Sequence, residues 1–307
     1  MGELDLTAAF IGCGNMGGAV LDGLLESIFP DDVPDAPASQ PKPRISKFIA
    51  YTQSARSAQK LQQKYNDRHA SRVRVLHSQI VEAIREADVV VLGFKPYMAR
   101  DVLGVPEVQR ALKGKLVISM LAGLSSTEIQ RLCLSADEEP ETSAGGPIAT
   151  KAVPNIAARC RQSMTILELP ESASIPQREA ELTEWIFGQV GSVKWLAEGL
   201  VNAGSMLMTA CLAALSIPLE GLLDGSVAEG LRRADAMEIA VQGVNGLGAM
   251  LDLGMHPAVV RESISSPRGC TIQSLLTVEK AATRAVFAQA LIDGTRHLQP
   301  KDTERKG

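Results

Sequence analysis

The stretch from residue 6 to residue 27, "LTAAFIGCGNMGGAVLDGLLES", decides the fold. Residues 6–11 are apolar apart from Thr7 and read as a buried strand. Gly12, Gly14 and Gly17 follow at once in the spacing G-x-G-x-x-G, and Ala19, Val20, Leu21, Leu24 and Leu25 then recur with a helical period. In such a strand–turn–helix unit the glycines have separate jobs. One makes the tight turn, one lets backbone approach a pyrophosphate, and one lets the helix lie close on the strand. The helix start then offers its free N–H groups to phosphate. The spacing by itself recurs in many turns. Its weight here comes from its place between a strand and a helix. The expectation is an α/β Rossmann-type dinucleotide-binding domain.

Downstream text repeats the pattern. Residues 30–43, "PDDVPDAPASQPKP", hold five prolines and read as an exposed insertion. Residues 46–51, "SKFIAY", read as the second strand. An enzyme that uses NADH usually carries Asp or Glu at its end for the ribose 2′-hydroxyl. Here Thr52, Gln53 and Ser54 are neutral, Arg56 is basic, and the next acid is Asp67. That suits a 2′-phosphate, so NADPH is expected in preference to NADH. "ADVVVLGFKP" (87–96) and "KLVISMLAGLSSTEIQRL" (115–132) are further apolar strands with small-residue breaks, the second leading into a helix capped near Ser125 or Ser126. Near-continuous apolar runs alternating with helices mean a parallel sheet covered on both faces. Ligands sit at the carboxyl ends of its strands. The breaks at Gly93–Pro96 and Met120–Gly123 are therefore candidate walls for a nicotinamide. Residues 134–147 are acidic and turn-rich. A strand, a Pro-Asn turn, a second strand, a helix bearing Leu182, Trp185, Ile186 and Val190, and a last strand near Val193–Leu196 complete a first domain of residues 1–196.

From Ala197 the alternation stops, and residues 197–307 read as an all-helical domain for dimerisation and substrate binding. Met237, Val241, Val244, Leu247 and Leu251 recur at spacings of three and four, beside Gly243, Gly246 and Gly248. The segment from Asn202 to Leu223 carries no charge but Glu220. So much apolar helix in a small domain predicts burial against a second copy of the chain. Near the end, "SISSPRGCTIQ" (263–273) places a Ser-Pro-Arg-Gly turn before a helix expected from Thr271 or Ile272. The N–H groups of Gly269, Cys270, Thr271 and Ile272 would face outward at that helix start and form an anion site, with the Ser266 and Thr271 hydroxyls beside them. The competing expectation is an ordinary cap in which Thr271 satisfies its own helix.

Composition limits the remaining possibilities. The 307 residues carry a formal charge of −4 and no basic stripe, which argues against nucleic acid. No apolar run reaches the roughly 18–20 residues of a membrane span. The N-terminus has no secretory pattern. Five scattered cysteines without a C-x-x-C indicate free thiols in a reducing compartment, so a cytoplasmic location is expected and no metal site. A cofactor domain with an anion turn suggests hydride transfer to a small carboxylate. Hydroxy-acid dehydrogenases need a His or Lys base. There is no lysine between Lys194 and Lys280, and His256 precedes Pro257 as a cap. Reduction of a C=N bond needs no such base. A cyclic imine is partly protonated near neutral pH, and orientation with one hydroxyl donor suffices.

Six segments carry a resemblance: "FIGCGNMGGAVLDGLL", "VLGFKP", "ISMLAG", "VPNIA", "LEGLLDGSVAEGLRRADA" and "MHPAVVRESISSPRGCTI". Together they resemble the pyrroline-5-carboxylate reductase family along nearly the whole chain. The resemblance implies reduction of 1-pyrroline-5-carboxylate to L-proline. It implies NAD(P)H on Gly12, Gly14, Asn15, Met16 and Gly17, with Thr52, Gln53, Ser54 and Arg56 at the ribose. The nicotinamide would lie near Lys95, Pro96, Ala122 and Gly123, and Asn155 would also bind the cofactor. Ser266 and the amides of Gly269, Cys270 and Thr271 would hold the substrate carboxylate, with the Thr271 hydroxyl on the imine nitrogen as the catalytic contact. A homodimer, in some members a larger ring of dimers, is also implied. Four positions depart from the pattern. "MTACLA" (208–213) stands where the family has Ser-Gly-Ser-Gly-Pro-Ala, Ser205 stands for a Thr, Ile156–Ala157 for Thr-Pro, and Arg268 for the first glycine of a pair. A piperideine carboxylate, a substituted pyrroline, or an NADP-binding protein without turnover are the alternatives.

Overall fold

The computed structural model describes residues 5–30, 45–135, 145–171 and 175–298. Most of the proline-rich insertion and residues 136–144 of the acidic loop lie outside them. Strands β1 (Leu6–Ile11), β2 (Ile45–Thr52), β3 (Val73–His77), β4 (Val89–Leu92), β5 (Leu116–Ser119), β6 (Ile148–Val153), β7 (Ser163–Leu169) and β8 (Gly191–Ala197) form one sheet in the order β3-β2-β1-β4-β5-β6-β7-β8. Helices α1 (Asn15–Ile28), α2 (Ala55–Asn66), α3 (Ile80–Glu86), α4 (Ala99–Leu103), α5 (Pro106–Leu112), α6 (Ser126–Cys133) and α7 (Gln177–Gly188) cover it. The order reverses between β1 and β4. This is the switch point where an open α/β sheet leaves a crevice at its strand ends.

Two cores explain why the strands are apolar on both faces. Phe10, Phe48, Leu116 and Ile118 pack under α1 and α7 with Leu24, Ile186 and Phe187. Ile11, Val90, Val117 and Leu92 pack under α3 to α6 with Ile84, Leu103, Leu112 and Ile129. The expected all-parallel sheet needs one correction. β6 and β7 are antiparallel, with Ala152 opposite Leu167, and β7 and β8 are again parallel. The chain turns back after Pro154, because only a short 3-10 turn (Ile156–Cys160) separates β6 from β7 and a parallel crossover needs a dozen residues or more.

The rest is helical: α8 (Val201–Ala228), α9 (Arg233–Asp252), α10 (Pro257–Ser263), α11 (Cys270–Lys280) and α12 (Thr283–His297). The compact units divide at Ser205–Met206, inside α8 and not after Leu196 as expected. The first turn of α8 belongs to the sheet domain. Val201 is buried, and a Cβ on Gly204 would lie 2.5 Å from Leu196 Cδ1. A second correction concerns hydropathy. The helical segment Glu198–Ala228, with a mean hydropathy of 1.8, is long and apolar enough to cross a membrane by length and composition. Counting uninterrupted apolar residues missed it, since Gly, Ser and Pro218 break the run without adding charge.

The second unit has almost no core of its own. Among its described apolar residues Met208, Leu223, Ala236 and Val260 are buried, while Met237, Val241, Val244, Leu247 and Leu251 on α9 are 41–53% exposed. Gly243, Gly246 and Gly248 have open space before them within the chain. An apolar stripe of that size, at about 25 cal/mol per Å² of buried surface, requires a partner. Replacing both Val241 and Val244 by Asp is expected to convert a dimer to monomer and to lower the melting temperature. Analytical ultracentrifugation at micromolar concentration checks this, and an unchanged dimer would show that the α9 stripe lies outside the interface.

Candidate functional site

The cofactor end is built from the ends of β1, β2, β4 and β5. Gly12 adopts φ +103°, and a Cβ there would lie 2.6 Å from the Phe94 nitrogen. Gly17 lies over the turn, where a Cβ would come within 2.4 Å of the Gly12 carbonyl oxygen. Neither position admits a side chain. Gly14 is different. It is the N-cap of α1, no side chain caps that helix, and nothing lies within 4 Å of where its Cβ would be. The amides of Asn15, Met16 and Gly17 therefore form an uncapped first turn with open space in front of Gly14, which fits a pyrophosphate. The tight turn at Gly12 and the close helix–strand approach at Gly17 agree with the sequence reading.

Around this turn the strand ends are stitched together. The Gly93 N–H donates to the Ile11 carbonyl at 2.9 Å, and the Met120 N–H to the Leu92 carbonyl at 3.0 Å. A Cβ on Gly93 would meet the Gly12 carbonyl oxygen at 2.7 Å. The breaks after β4 and β5 are thus beside the glycine turn, as expected, with Lys95, Ala122 and Gly123 exposed and Pro96 half-buried. At the end of β2, Thr52 is half-buried and Gln53, Ser54 and Arg56 are exposed. Ser54 caps α2 through the Ser57 N–H, and Gln53 accepts from the Tyr51 hydroxyl at 2.9 Å. Asn155 is buried, and its side-chain oxygen accepts the Ala157 N–H at 3.0 Å, which caps the 3-10 turn after β6.

All five cysteines are unpaired. Burial pushes the Cys13 and Cys133 thiols up to about 12, so both stay protonated and unreactive. Among the described residues no group of three His, Cys, Asp or Glu could hold a metal. A buried polar group went unnoticed in the sequence: Ser119, Ser126, Lys151 and Glu168 under the start of α6. The signal was present, since a lysine within "IATKAV" and a glutamate within "TILEL" are out of place in buried strands.

In the helical unit, His256 caps α10, its Nδ1 accepting the Ala258 N–H at 3.2 Å. α11 begins at Cys270 with Gly269 as N-cap and no side-chain cap. The ordinary-cap alternative for Thr271 is therefore excluded. The amides of Cys270, Thr271 and Ile272 lie in an uncapped first turn, beside the exposed Ser266 and the half-buried Thr271. Gly269 needs a correction. Its N–H donates to the Ser266 carbonyl at 3.0 Å and so closes the turn without facing a ligand. Its absent side chain matters instead, because a Cβ there would lie 2.5 Å from Ser266 Oγ. Arg268 occupies the left-handed region at φ +63°. A glycine takes that conformation without strain, while an L side chain costs about 1–2 kcal/mol.

Comparison with known proteins follows this division. Residues 198–300 match the family model described as pyrroline-5-carboxylate reductase dimerisation, and residues 7–123 match one described as NADP oxidoreductase coenzyme F420-dependent. The pyrroline-5-carboxylate reductase of Lophium arboricola is 35% identical over 295 residues, covering 95% of this chain and 92% of that protein. This chain belongs to the pyrroline-5-carboxylate reductase family. The Neurospora crassa reductase is 34% identical over 95% of this chain and 91% of its own. The NADP-bound structure of a Plasmodium falciparum pyrroline carboxylate reductase has the same fold, with a TM-score of 0.76 at 19% identity over 97% of this chain and 98% of that one. The helical unit of this reductase is thus a dimerisation domain, which accounts for its uncovered apolar helices. The N-terminal domain binds NAD(P)H, and the Gly14 cradle fits its pyrophosphate.

Gly17→Ala is expected to abolish NADPH binding while the fold is kept, measured by fluorescence titration and circular dichroism. Retained affinity would show that the α1 crossing is looser than the 2.4 Å approach indicates. Arg268→Gly is expected to raise stability by up to about 1 kcal/mol through relief of the left-handed strain, net of glycine's greater unfolded-state freedom. Denaturant unfolding checks this.

Proposed function

We propose that this reductase converts 1-pyrroline-5-carboxylate to L-proline, with NADPH as the preferred donor. The observation that carries the reading is the uncapped start of α11 behind the Ser266–Gly269 turn, in a helical domain with no lysine ahead of that turn. The one histidine near the turn, His256, has its Nδ1 committed to a helix cap, and no lysine occurs between Lys194 and Lys280. That set of groups suits a carboxylate whose reacting bond is C=N.

In this reading the amides of Cys270 and Thr271, with the Ser266 hydroxyl, hold the carboxylate. The Thr271 hydroxyl donates to the imine nitrogen and stabilises its protonated form. NADPH supplies the hydride. Gly12 to Gly17 hold its pyrophosphate, and Lys95, Pro96, Ala122 and Gly123 flank its nicotinamide. The neutral residues Thr52, Gln53 and Ser54 leave room for a 2′-phosphate, and Arg56 pairs with it. The protein works as a homodimer in the cytoplasm, in which a larger ring of dimers is compatible with the exposed helices, and it needs neither nucleic acid nor membrane.

A second reading has support from Arg268. A strained, exposed Arg268 stands in the proposed carboxylate turn where glycine would be easier, and "MTACLA" leaves residues 208–213 without glycine. Both features suit a larger or substituted cyclic imine carboxylate. NADPH oxidation with pyrroline-5-carboxylate beside piperideine carboxylates separates the two readings. NADPH binding without turnover of any of them would defeat both. Thr271→Ala is expected to lower kcat about 10²–10⁴-fold with NADPH affinity unchanged. Full turnover in that variant would remove the hydroxyl from the chemistry. Arg56→Ala is expected to raise KM for NADPH about tenfold and leave KM for NADH alone, as steady-state kinetics with both donors would show.

A further inference from the structure

The buried polar group under the start of α6 has no role in the scheme above. Ser119, Ser126, Lys151 and Glu168 are each no more than 4% exposed. Strand pairing brings them together. Ser119 is the parallel-strand partner of Lys151. The antiparallel register that sets Ala152 against Leu167 carries Lys151 opposite Glu168. Lys151 Nζ lies 3.8 Å from Glu168 Oε2, and Glu168 Oε1 accepts the Ser126 N–H at 2.7 Å. Burial lowers the Lys151 pKa, and Glu168 followed by Glu128 and Glu198 act against that shift.

These contacts fix one turn. Residues 120–125 join β5 to α6, exposing Ala122 and Gly123, the latter at φ +78°. Below the turn, the Leu121 N–H donates to Ser119 Oγ at 3.2 Å. At its far end the Ser125 N–H donates to Glu128 Oε2 at 2.7 Å and the Ser126 N–H to Glu168. A carboxylate at the start of α6 is favoured by the helix dipole. The buried pair is nonetheless a costly way to join two strands. Desolvation takes several kcal/mol per ion, and apolar residues of the same volume would hold β6 to β7 as well or better. The distinctive product of the pair is the aim of Glu168 at the Ser126 amide, and through it the placement of the turn.

We propose that Lys151 and Glu168 are positioning residues for hydride transfer, their ion pair holding residues 120–125 where the exposed Ala122–Gly123 backbone lies against the nicotinamide ring. This rests on the assignment of that turn to the nicotinamide under the proposed function. Lys151→Met and Glu168→Gln are the deciding variants, with Lys151→Arg as the conservative rescue. Three quantities are read in each. These are the dissociation constant of 2′-phosphoadenosine 5′-diphosphoribose, which has no nicotinamide, the dissociation constant of NADPH, and the single-turnover rate of NADPH oxidation. The expected result is fragment affinity equal to wild type, weakened NADPH affinity, and a hydride-transfer rate lowered about a hundredfold, with Lys151→Arg close to wild type. Fragment and NADPH affinity falling together would overturn the proposal in favour of a general structural role. Unchanged rates in both variants would overturn it outright. Should Lys151→Met fail to fold, Glu168→Gln decides, since it keeps the side-chain volume and removes the charge that pairs with Lys151. A wild-type protein that binds NADPH but reduces no imine would instead defeat the substrate reading, and the ratio of fragment to NADPH affinity would still test the ion pair.

Discussion

The structure depends on the contact between Gly17 and the carbonyl of Gly12, where a single methyl group would lie 2.4 Å from oxygen. That approach lets α1 start directly above the end of β1 and points its uncapped N-terminus at the crevice. The same carbonyl bars a side chain at Gly93, so the end of β4 is drawn to the same point. The Met120 N–H bonded to the Leu92 carbonyl then adds β5. The ends of β1 and β4 meet at one backbone oxygen and β5 is tied to them through the Leu92 carbonyl, so the floor of the crevice is made of backbone.

The two units satisfy the hydrophobic effect in opposite ways. The sheet domain buries both faces of its strands within one chain, in two separate cores. The helical unit leaves the α9 stripe and much of α8 uncovered, with Ile217 and Leu222 71% and 67% exposed. Its stability is therefore tied to subunit concentration, as in obligate dimers. A helix that passes for a membrane span by composition is explained more simply as one that belongs to a dimerisation domain.

Much of the site was legible because it is made of local backbone chemistry. The glycine spacing, the missing acid after β2, the cap at His256 and the turn before α11 all depend on residues within a few positions of one another. The misreadings have the opposite character. The free N–H assigned to Gly269 was lost to a bond with Ser266 that sequence text does not display. Arg268, unplaced in the sequence, proved to be a left-handed residue in the turn before α11.

By itself the sequence determined the strand–glycine–helix unit, the α/β domain followed by helices, the exclusion of a lysine base and the need for a second copy, since periodicity and composition act over short range. Tertiary structure alone decided the reversal at β7, the boundary inside α8 and the meeting of Lys151 with Glu168. These follow from which strands pair and in which register, and pairing joins residues far apart in the chain through hydrogen bonds that carry no mark in the residue text.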